Sequence, residues 1–186
     1  FLYALQYYSG GRVSEIVALD TNSFESNLAT EKLLGRFGSV RIKGKSSRGA
    51  PKKNRTTPIV SAHFYPLIQW YLKSVRPRFP GANETKALFL SERGTRLSRW
   101  SAMTNLKKYL RASGLDESKF SPHSLRRSTL SHVTDAVDLT LAQFLAGHVY
   151  ASTTQIYVRL PPKGIENRLV TIVRRTATRS GVARRS

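Results

Sequence analysis

Residues 121–160 read SPHSLRRSTLSHVTDAVDLTLAQFLAGHVYASTTQIYVRL and include four side chains that could act together on a phosphate: two histidines, an arginine and a tyrosine. His123 and Arg126 are three positions apart, His148 follows a glycine, and Tyr157 comes nine positions later. On a helix, a three-residue spacing puts His123 and Arg126 on nearly the same face, where both can donate to one phosphate. A tyrosine hydroxyl near such a cationic group suits covalent attack on a phosphodiester.

Each of these residues also has an ordinary structural explanation when it is taken alone. A histidine and an arginine at this spacing can simply lie on a solvated helix face, and Tyr157, at helical spacing from Leu160, can serve packing. Their order and spacing together carry the signal.

The composition of the chain favours a polyanionic partner. The chain has 186 residues, 40% of them hydrophobic, which suffices for one domain with a sizeable core. Lysine and arginine number 31 against 11 aspartates and glutamates, a formal net charge of +20 that is spread along the chain. A positive electrostatic field of this size favours binding of nucleic acid. Charge alone does not separate an enzyme from a non-enzymatic nucleic-acid-binding protein.

The sequence excludes or disfavours several kinds of functional site and a location in a membrane. The sequence has no cysteine, which excludes disulfides, thiolate zinc sites and cysteine nucleophiles. The carboxylates are few and scattered, unlike a two-metal nuclease site, so we expect no metal and no other cofactor. No apolar run approaches the roughly 20 residues of a membrane helix, so we expect no membrane partner and a cytoplasmic location. The chain begins inside an apolar run without an initiator Met, which we interpret as a fragment.

Hydrophobic periodicity predicts an α+β fold, mainly α-helical with a small antiparallel sheet. Alternation at 37–42 and 56–60 predicts two strands, joined by the basic connection KGKSSRGAPKKNR at 43–55. The predicted helices lie at 1–8, 13–19, 62–75, 98–112 with Ser98 as N-cap, from Ser121-Pro122 onward, at 138–145, around Tyr157, and at 165–173. Residues 174–186 are basic and poor in hydrophobic residues, which predicts a mobile tail.

Four segments resemble, in the same order, the sequence boxes of the tyrosine recombinase (phage integrase) catalytic domain. They are GGRVSEIVAL at 10–19, VRIKGKSSR at 40–48, HSLRRSTLSH at 123–132 and FLAGHVYASTTQIYV at 144–158. The last two boxes are the specific ones, and the resemblance covers roughly residues 1–160. It implies that residues 1–173 form a recombinase catalytic domain, and that a full-length protein carries a separate N-terminal DNA-binding domain.

The resemblance also implies roles for individual residues. Arg12 and Arg126 are expected to clamp the non-bridging oxygens of the phosphate, and Glu15 is expected to support Arg12. His148 would donate a hydrogen bond to the phosphate, and Tyr157 would be the nucleophile.

Two further roles concern proton transfer. By the resemblance, His123 helps to handle the proton of the nucleophile. Lys45, at the tip of the first strand of the hairpin, becomes the general acid that protonates the leaving 5′ oxygen. Lys43, Lys52 and Lys53 compete for that second role.

Basic residues outside these boxes are candidates for contact with the DNA backbone. The glycines and serines of the 43–55 connection allow its cations to follow a groove, although the same composition suits a solvated loop. The candidate DNA-binding residues are Lys43, Arg48, Lys52, Lys53, Arg55, Arg96 and Arg99.

The function that the resemblance implies is site-specific recombination of double-stranded DNA through a covalent 3′-phosphotyrosyl intermediate, without metal. The expected assembly is a homotetramer on DNA, nucleoid-associated when bound, and the C-terminal helix packs on a neighbouring protomer or folds back in cis. Alternatives remain open at this point: a type IB topoisomerase or telomere resolvase with the same chemistry, a non-enzymatic nucleic-acid-binding protein, or a recombinase-derived regulator.

Overall fold

The computed structural model describes residues 1–44, 54–136, 142, 145 and 163–179. Helices dominate these ranges, and a three-stranded antiparallel sheet accompanies them, so the predicted α+β class is confirmed. In chain order the elements are α1 (Leu2–Ser9), α2 (Val13–Val17), β1 (Phe24–Glu25), α3 (Glu31–Leu34), β2 (Ser39–Ile42), β3 (Arg55–Pro58), α4 (Phe64–Trp70), α5 (Arg99–Ala112), α6 (Pro122–Ala136) and α7 (Lys163–Arg179).

The sheet has the strand order β1-β2-β3. Strands β2 and β3 pair antiparallel with Val40 opposite Thr57 and Ile42 opposite Arg55, which confirms the predicted hairpin. Side chains alternate across a strand, so Val40 and Ile42 point inward and are fully buried. Strand β1 was not predicted, because two residues are too short to show an alternation.

The main core lies where α1, α2, the sheet and α4 meet. Phe1 stacks on Tyr71 with ring centroids 4.5 Å apart, and both rings also pack on Phe89. The hydroxyl of Tyr71 donates to the carbonyl of Leu88, which satisfies its buried polar end. Helix α4 continues into a π-helical turn at Tyr71–Val75, so the predicted 62–75 helix is present with a change of winding.

Helices α5 and α6 begin as their capping residues predict. Ser98 accepts a hydrogen bond from the Ser101 amide at 2.9 Å, as an N-cap residue does. At the start of α6, Ser121 and Ser124 exchange side-chain-to-amide hydrogen bonds across the first turn. Pro122 is the first helical residue, where its missing N–H costs nothing.

The C-terminal helix packs on the rest of its own chain. Leu169, Val173 and Ala177 recur every four residues and are buried. Leu169 packs in a cluster with Val60 and Val133, whereas Val173 and Ala177 pack with Leu34 and Ala62. This apolar stripe carries α7 six residues beyond the predicted end at Val173, so residues 174–179, expected in a mobile tail, are helical. The cis arrangement is therefore one that the chain can adopt.

Some predictions fall outside the described residues. Of the predicted 138–145 helix, only Ala142 and Leu145 are described, and both are helical and buried. The short helix around Tyr157 and residues 180–186 of the predicted tail lie wholly outside. Within the described ranges, no helix combines the length and apolarity needed to cross a membrane.

Candidate active site

Arg12 is held at the junction of two helices. Helix α1 ends at Gly10, whose φ of 62° is the left-handed conformation that glycine adopts without strain. Arg12 then takes an extended conformation as the N-cap of α2. Its side chain is 46% exposed, so the guanidinium is accessible from solvent while its backbone is fixed by two helix ends.

Glu15 is the centre of an ion-pair network. Its side chain is only 6% exposed, and its two carboxylate oxygens accept four hydrogen bonds. Two come from Arg12, at 2.8 Å from the backbone N–H and 3.1 Å from Nη1. The other two come from Nη1 and Nη2 of Arg55, at 2.9 and 2.8 Å. Burial opposes ionisation of Glu15, but the bonds and charges of Arg55 and Arg12 outweigh it and lower its pKa to about 2.

Arg126 joins this network from the distant α6. It lies in the second turn of that helix, is 5% exposed, and donates from Nη1 to the carbonyl oxygen of Gly10. Burial lowers the pKa of Arg126 to about 10, and the positive charges of Arg12 and Arg55 act in the same direction while Glu15 opposes them. Arg126 is still cationic at neutral pH. Two guanidinium groups are bound to the carboxylate of Glu15, and the charge of a third acts on them, so the region keeps a net positive charge that suits an anion.

Contacts between α1 and α6 bring Arg126 to this place. The amide of Gln6, which is 1% exposed, donates to the carbonyl of Pro122 at 2.8 Å. The hydroxyl of Thr129 donates to the carbonyl of Tyr7 at 2.6 Å. His123, predicted to handle the proton of the nucleophile, lies exposed in the first turn of α6.

A second cluster of charges lies at the base of the β2–β3 connection. Lys43 pairs with one oxygen of Asp20 at 3.1 Å, and Arg96 pairs with the other. Arg96 also donates to the carbonyls of Val17 and Leu19. Burial opposes ionisation of Asp20, yet its bonds to Arg96 and Lys43 lower its pKa. These two candidate DNA-binding cations are thus tied to α2 and to the segment after it.

Seven predicted site residues remain, and the structure describes one of them. Arg99 is the first residue of α5 and is exposed, beside the exposed ring of Trp100. Six predicted residues lie outside the described residues: Lys45, Arg48, Lys52, Lys53, His148 and Tyr157. In the described ranges, no group of three or more histidines and carboxylates forms a potential metal site.

Arg55 is a residue whose place the sequence analysis missed, because it was predicted only as a DNA contact. The β2–β3 register holds the signal: Arg55 lies opposite Ile42, on the face that Ile42 and Thr57 bury. An arginine on a buried sheet face needs an acidic partner. The register becomes known only once the strands are paired, and the hydrogen bonds of the folded chain show that Glu15 of α2 is that partner.

Comparison with known proteins identifies the family of this chain. A model of the phage integrase family matches residues 1–163. A tyrosine recombinase XerC of Pelotomaculum thermopropionicum is 37% identical over 159 residues, which are 82% of this chain and 47% of that protein. A tyrosine recombinase XerD of Mycobacterium leprae is 35% identical over 157 residues, covering 84% of this chain and 46% of that protein.

Two solved structures share the fold. The XerA recombinase covers 90% of this chain with a TM-score of 0.61 and 21% identity, and 55% of that structure is matched. The XerH site-specific recombinase bound to its difH substrate covers 90% of this chain and is itself 44% covered, with a TM-score of 0.58 and 22% identity. The chain belongs to the phage integrase family, as its sequence boxes predicted, and it spans about half the length of the curated relatives it matches.

Proposed function

We propose that this chain is the catalytic domain of a site-specific tyrosine recombinase, which cleaves double-stranded DNA and rejoins it. The observation that carries the proposal is that Arg126 donates to the carbonyl of Gly10, two residues before Arg12, so both arginines lie near the buried Glu15 although they are 114 residues apart in the sequence. Such a concentration of positive charge does not stabilise a packed core, whereas it stabilises a bound phosphate.

The charge and placement of the arginines suit the transition state of phosphodiester cleavage. As the attacking oxygen approaches phosphorus, negative charge grows on the non-bridging oxygens. Guanidinium groups that are already held in place stabilise this charge without reorganising during the reaction. Arg126 is fixed by burial and by Gly10, and Arg12 is fixed by Glu15.

The remaining roles in the proposal follow the family pattern. The phenolate oxygen of Tyr157 attacks phosphorus and forms a 3′-phosphotyrosyl bond, while the bond to the 5′ oxygen breaks. Lys45 protonates that leaving oxygen, His123 takes part in transfer of the tyrosine proton, and His148 donates to the phosphate. A free phenol loses its proton with a pKa of about 10, and a cationic pocket favours that loss.

The covalent intermediate allows rejoining without an external energy source. The phosphotyrosyl bond keeps the energy of the broken phosphodiester, so a free 5′ hydroxyl can attack it and release the tyrosine. If that hydroxyl belongs to another duplex held nearby, strands are exchanged. We propose a homotetramer on DNA as the assembly that holds two duplexes, and no metal is required because guanidinium and ammonium groups neutralise the phosphate.

Trapping of the covalent intermediate tests the proposal. Sheared DNA of the source genome, nicked at random and labelled, is incubated with the protein in EDTA, because a nick near the cut lets the 5′ end diffuse away. Denaturing electrophoresis then shows adducts as protease-sensitive shifted bands, and sequencing of the attached DNA identifies the site. The chain is tested as it stands and, where its gene encodes residues before Phe1, in the longer form as well.

Two tyrosine variants make the result specific. Tyr157→Phe is expected to abolish the adduct and leave DNA binding intact, whereas Tyr150→Phe, a matched change seven positions away, is expected to keep the adduct. An adduct that survives Tyr157→Phe would exclude Tyr157 as nucleophile. Absence of adduct with every form of the wild-type protein would overturn the proposed enzyme. Relaxation of supercoiled DNA that lacks the identified site would instead indicate a topoisomerase.

A further inference from the structure

We propose that Arg55 is a positioning residue: it occupies Glu15 in a two-pronged ion pair and thereby leaves the guanidinium of Arg12 available for the phosphate. The inference rests on the proposed function and deepens it, because it adds a residue to the same site. It also ties this site to the connection between β2 and β3.

The geometry around Glu15 is the first support. Each carboxylate oxygen accepts one hydrogen bond from Arg12 and one from Arg55, so its acceptor capacity is filled. Arg55 uses both terminal nitrogens, whereas Arg12 uses its backbone N–H and a single guanidinium nitrogen. Bidentate pairing is the stronger and more directional arrangement. The Arg55 side chain is 19% exposed against 46% for Arg12, so Arg12 is the arginine that faces solvent.

Arg12 and Arg55 compete for Glu15, and this competition explains why it matters that Arg55 forms the bidentate pair. A buried carboxylate with unfilled acceptor sites draws in any nearby cation, because an unpaired buried charge is costly. Without Arg55, the neighbouring guanidinium of Arg12 can turn to form the bidentate pair itself. Its donors would then be directed at Glu15 and withdrawn from the phosphate. With Arg55 in place, Glu15 orients Arg12 through one bond and does not capture it.

The position of Arg55 in the chain links this effect to the hairpin. Arg55 is the first residue of β3 and lies opposite Ile42, the last residue of β2. The connection between these two residues carries the lysines from which we expect the general acid. Its two ends are anchored by ion pairs, Lys43 to Asp20 and Arg55 to Glu15. Placement of the hairpin and orientation of Arg12 are therefore coupled through one side chain.

Single-turnover cleavage of the duplex identified by adduct trapping tests the inference. Arg55→Lys keeps the charge but loses the fork, and Arg55→Gln loses both. We expect cleavage by each variant to fall about 10²-fold, the order expected when a catalytic group is misplaced by about 1 Å. Arg41→Lys is the matched control, since Arg41 lies on the same hairpin and pairs with an exposed carboxylate, Glu25. It is expected to cleave at the wild-type rate.

Two further measurements separate positioning from general support of the fold. In the first, sulfur replaces the leaving 5′ oxygen of the duplex. A thiolate leaves without protonation, so this substrate restores a variant that has lost its general acid but not one with a misplaced Arg12. In the second, Glu15→Gln is added to Arg55→Gln. Neutralising Glu15 releases Arg12, so we expect the double variant to cleave faster than Arg55→Gln alone.

The possible outcomes are distinct. The inference is overturned by wild-type cleavage in Arg55→Lys, by restoration with sulfur, or by a double variant slower than Arg55→Gln. Circular dichroism and thermal unfolding confirm that the compared variants are folded; should Arg55→Gln unfold, the Arg55→Lys arm decides the matter. If wild type and Arg41→Lys also fail to cleave, the proposed function falls and not merely the role of Arg55.

Discussion

Among the described residues, two ion pairs join a glutamate to an arginine of strand β2 or β3, and they differ in burial. Glu15 pairs with Arg55 on the inner face of the sheet, where both side chains are largely removed from water. Glu25 pairs with Arg41 on the outer face, with 34% and 55% of the side chains exposed. Coulomb attraction is weakly screened in the first environment and strongly screened in the second. The same chemistry thus produces a rigid, charged site in one place and an ordinary surface contact in the other.

Arg126 is the buried cation whose removal should have the largest effect. Arg126→Ala is expected to reduce single-turnover cleavage about 10²- to 10³-fold, the usual consequence of losing one preorganised donor to a developing anion. Arg127→Ala, the exposed neighbour on the same helix, is the control and should cleave nearly normally. Equal loss in the two variants would mean that α6 contributes charge rather than a fixed donor.

Glu15→Gln should have the next largest effect, seen in stability and its dependence on pH. The pKa of Glu15 is about 2 when folded and near 4.5 when unfolded, so the folded state favours the ionised carboxylate. The ionised Glu15 contributes fully to the free energy of unfolding above the pKa of the unfolded state. This contribution is lost as the pH falls through the pKa of the folded state. A shift of this size corresponds to about 3 kcal/mol at neutral pH.

Urea unfolding at a series of pH values measures this contribution. Between about pH 4.5 and pH 2 the wild type should lose stability relative to Glu15→Gln, and the two should approach each other at the acidic end. Glu25→Gln serves as the exposed counterpart and should lower the free energy of unfolding by less than about 1 kcal/mol. Similar pH profiles for Glu15→Gln and wild type would show that burial does not strengthen the Glu15 pairs.

Arg99 tests whether the exposed cations act as a group on the DNA backbone. Arg99 is at the start of α5 and is exposed, so its charge can reach a phosphate without desolvation. In the proposed complex, log K falls with log salt by about 0.9 per phosphate neutralised, and Arg99→Ala should reduce that slope by about 1. Fluorescence anisotropy at several salt concentrations measures it. An unchanged slope would remove Arg99 from the interface.

The smallest expected effect belongs to the exposed pair itself. A double-mutant cycle of Arg41→Ala and Glu25→Ala should give a coupling free energy below about 1 kcal/mol, and salt should reduce it further. Thermal or urea unfolding of the four proteins measures the coupling. A coupling as large as that of Glu15 with Arg55 would break the contrast between the two faces of the sheet.

Local signals made much of the fold predictable. The serine ahead of α5 and the Ser-Pro start of α6 act on backbone groups within a few residues of themselves, so a single sequence is enough to recognise them. The extent of α7 was underestimated. Its last turns are basic by composition, and their burial at Ala177 depends on a surface that other parts of the chain supply.

The sequence predicted some residues of the candidate site and missed others. The sequence boxes pointed to Arg12, Glu15 and Arg126, and the structure brings these three together. The boxes gave no sign that Arg55 would share Glu15, because that contact spans 40 residues and depends on strand register. The roles assigned to Lys45, His148 and Tyr157 stay predictions.

By itself, the sequence determined the charge of this protein, the membership of its boxes in one family, and the starts of its main helices. These properties depend on residue type and short-range spacing. Only the tertiary structure decided which arginines surround Glu15, which of them stays exposed, and where the C-terminal helix packs. Each of these depends on burial, and burial is a property of surfaces that distant segments form together.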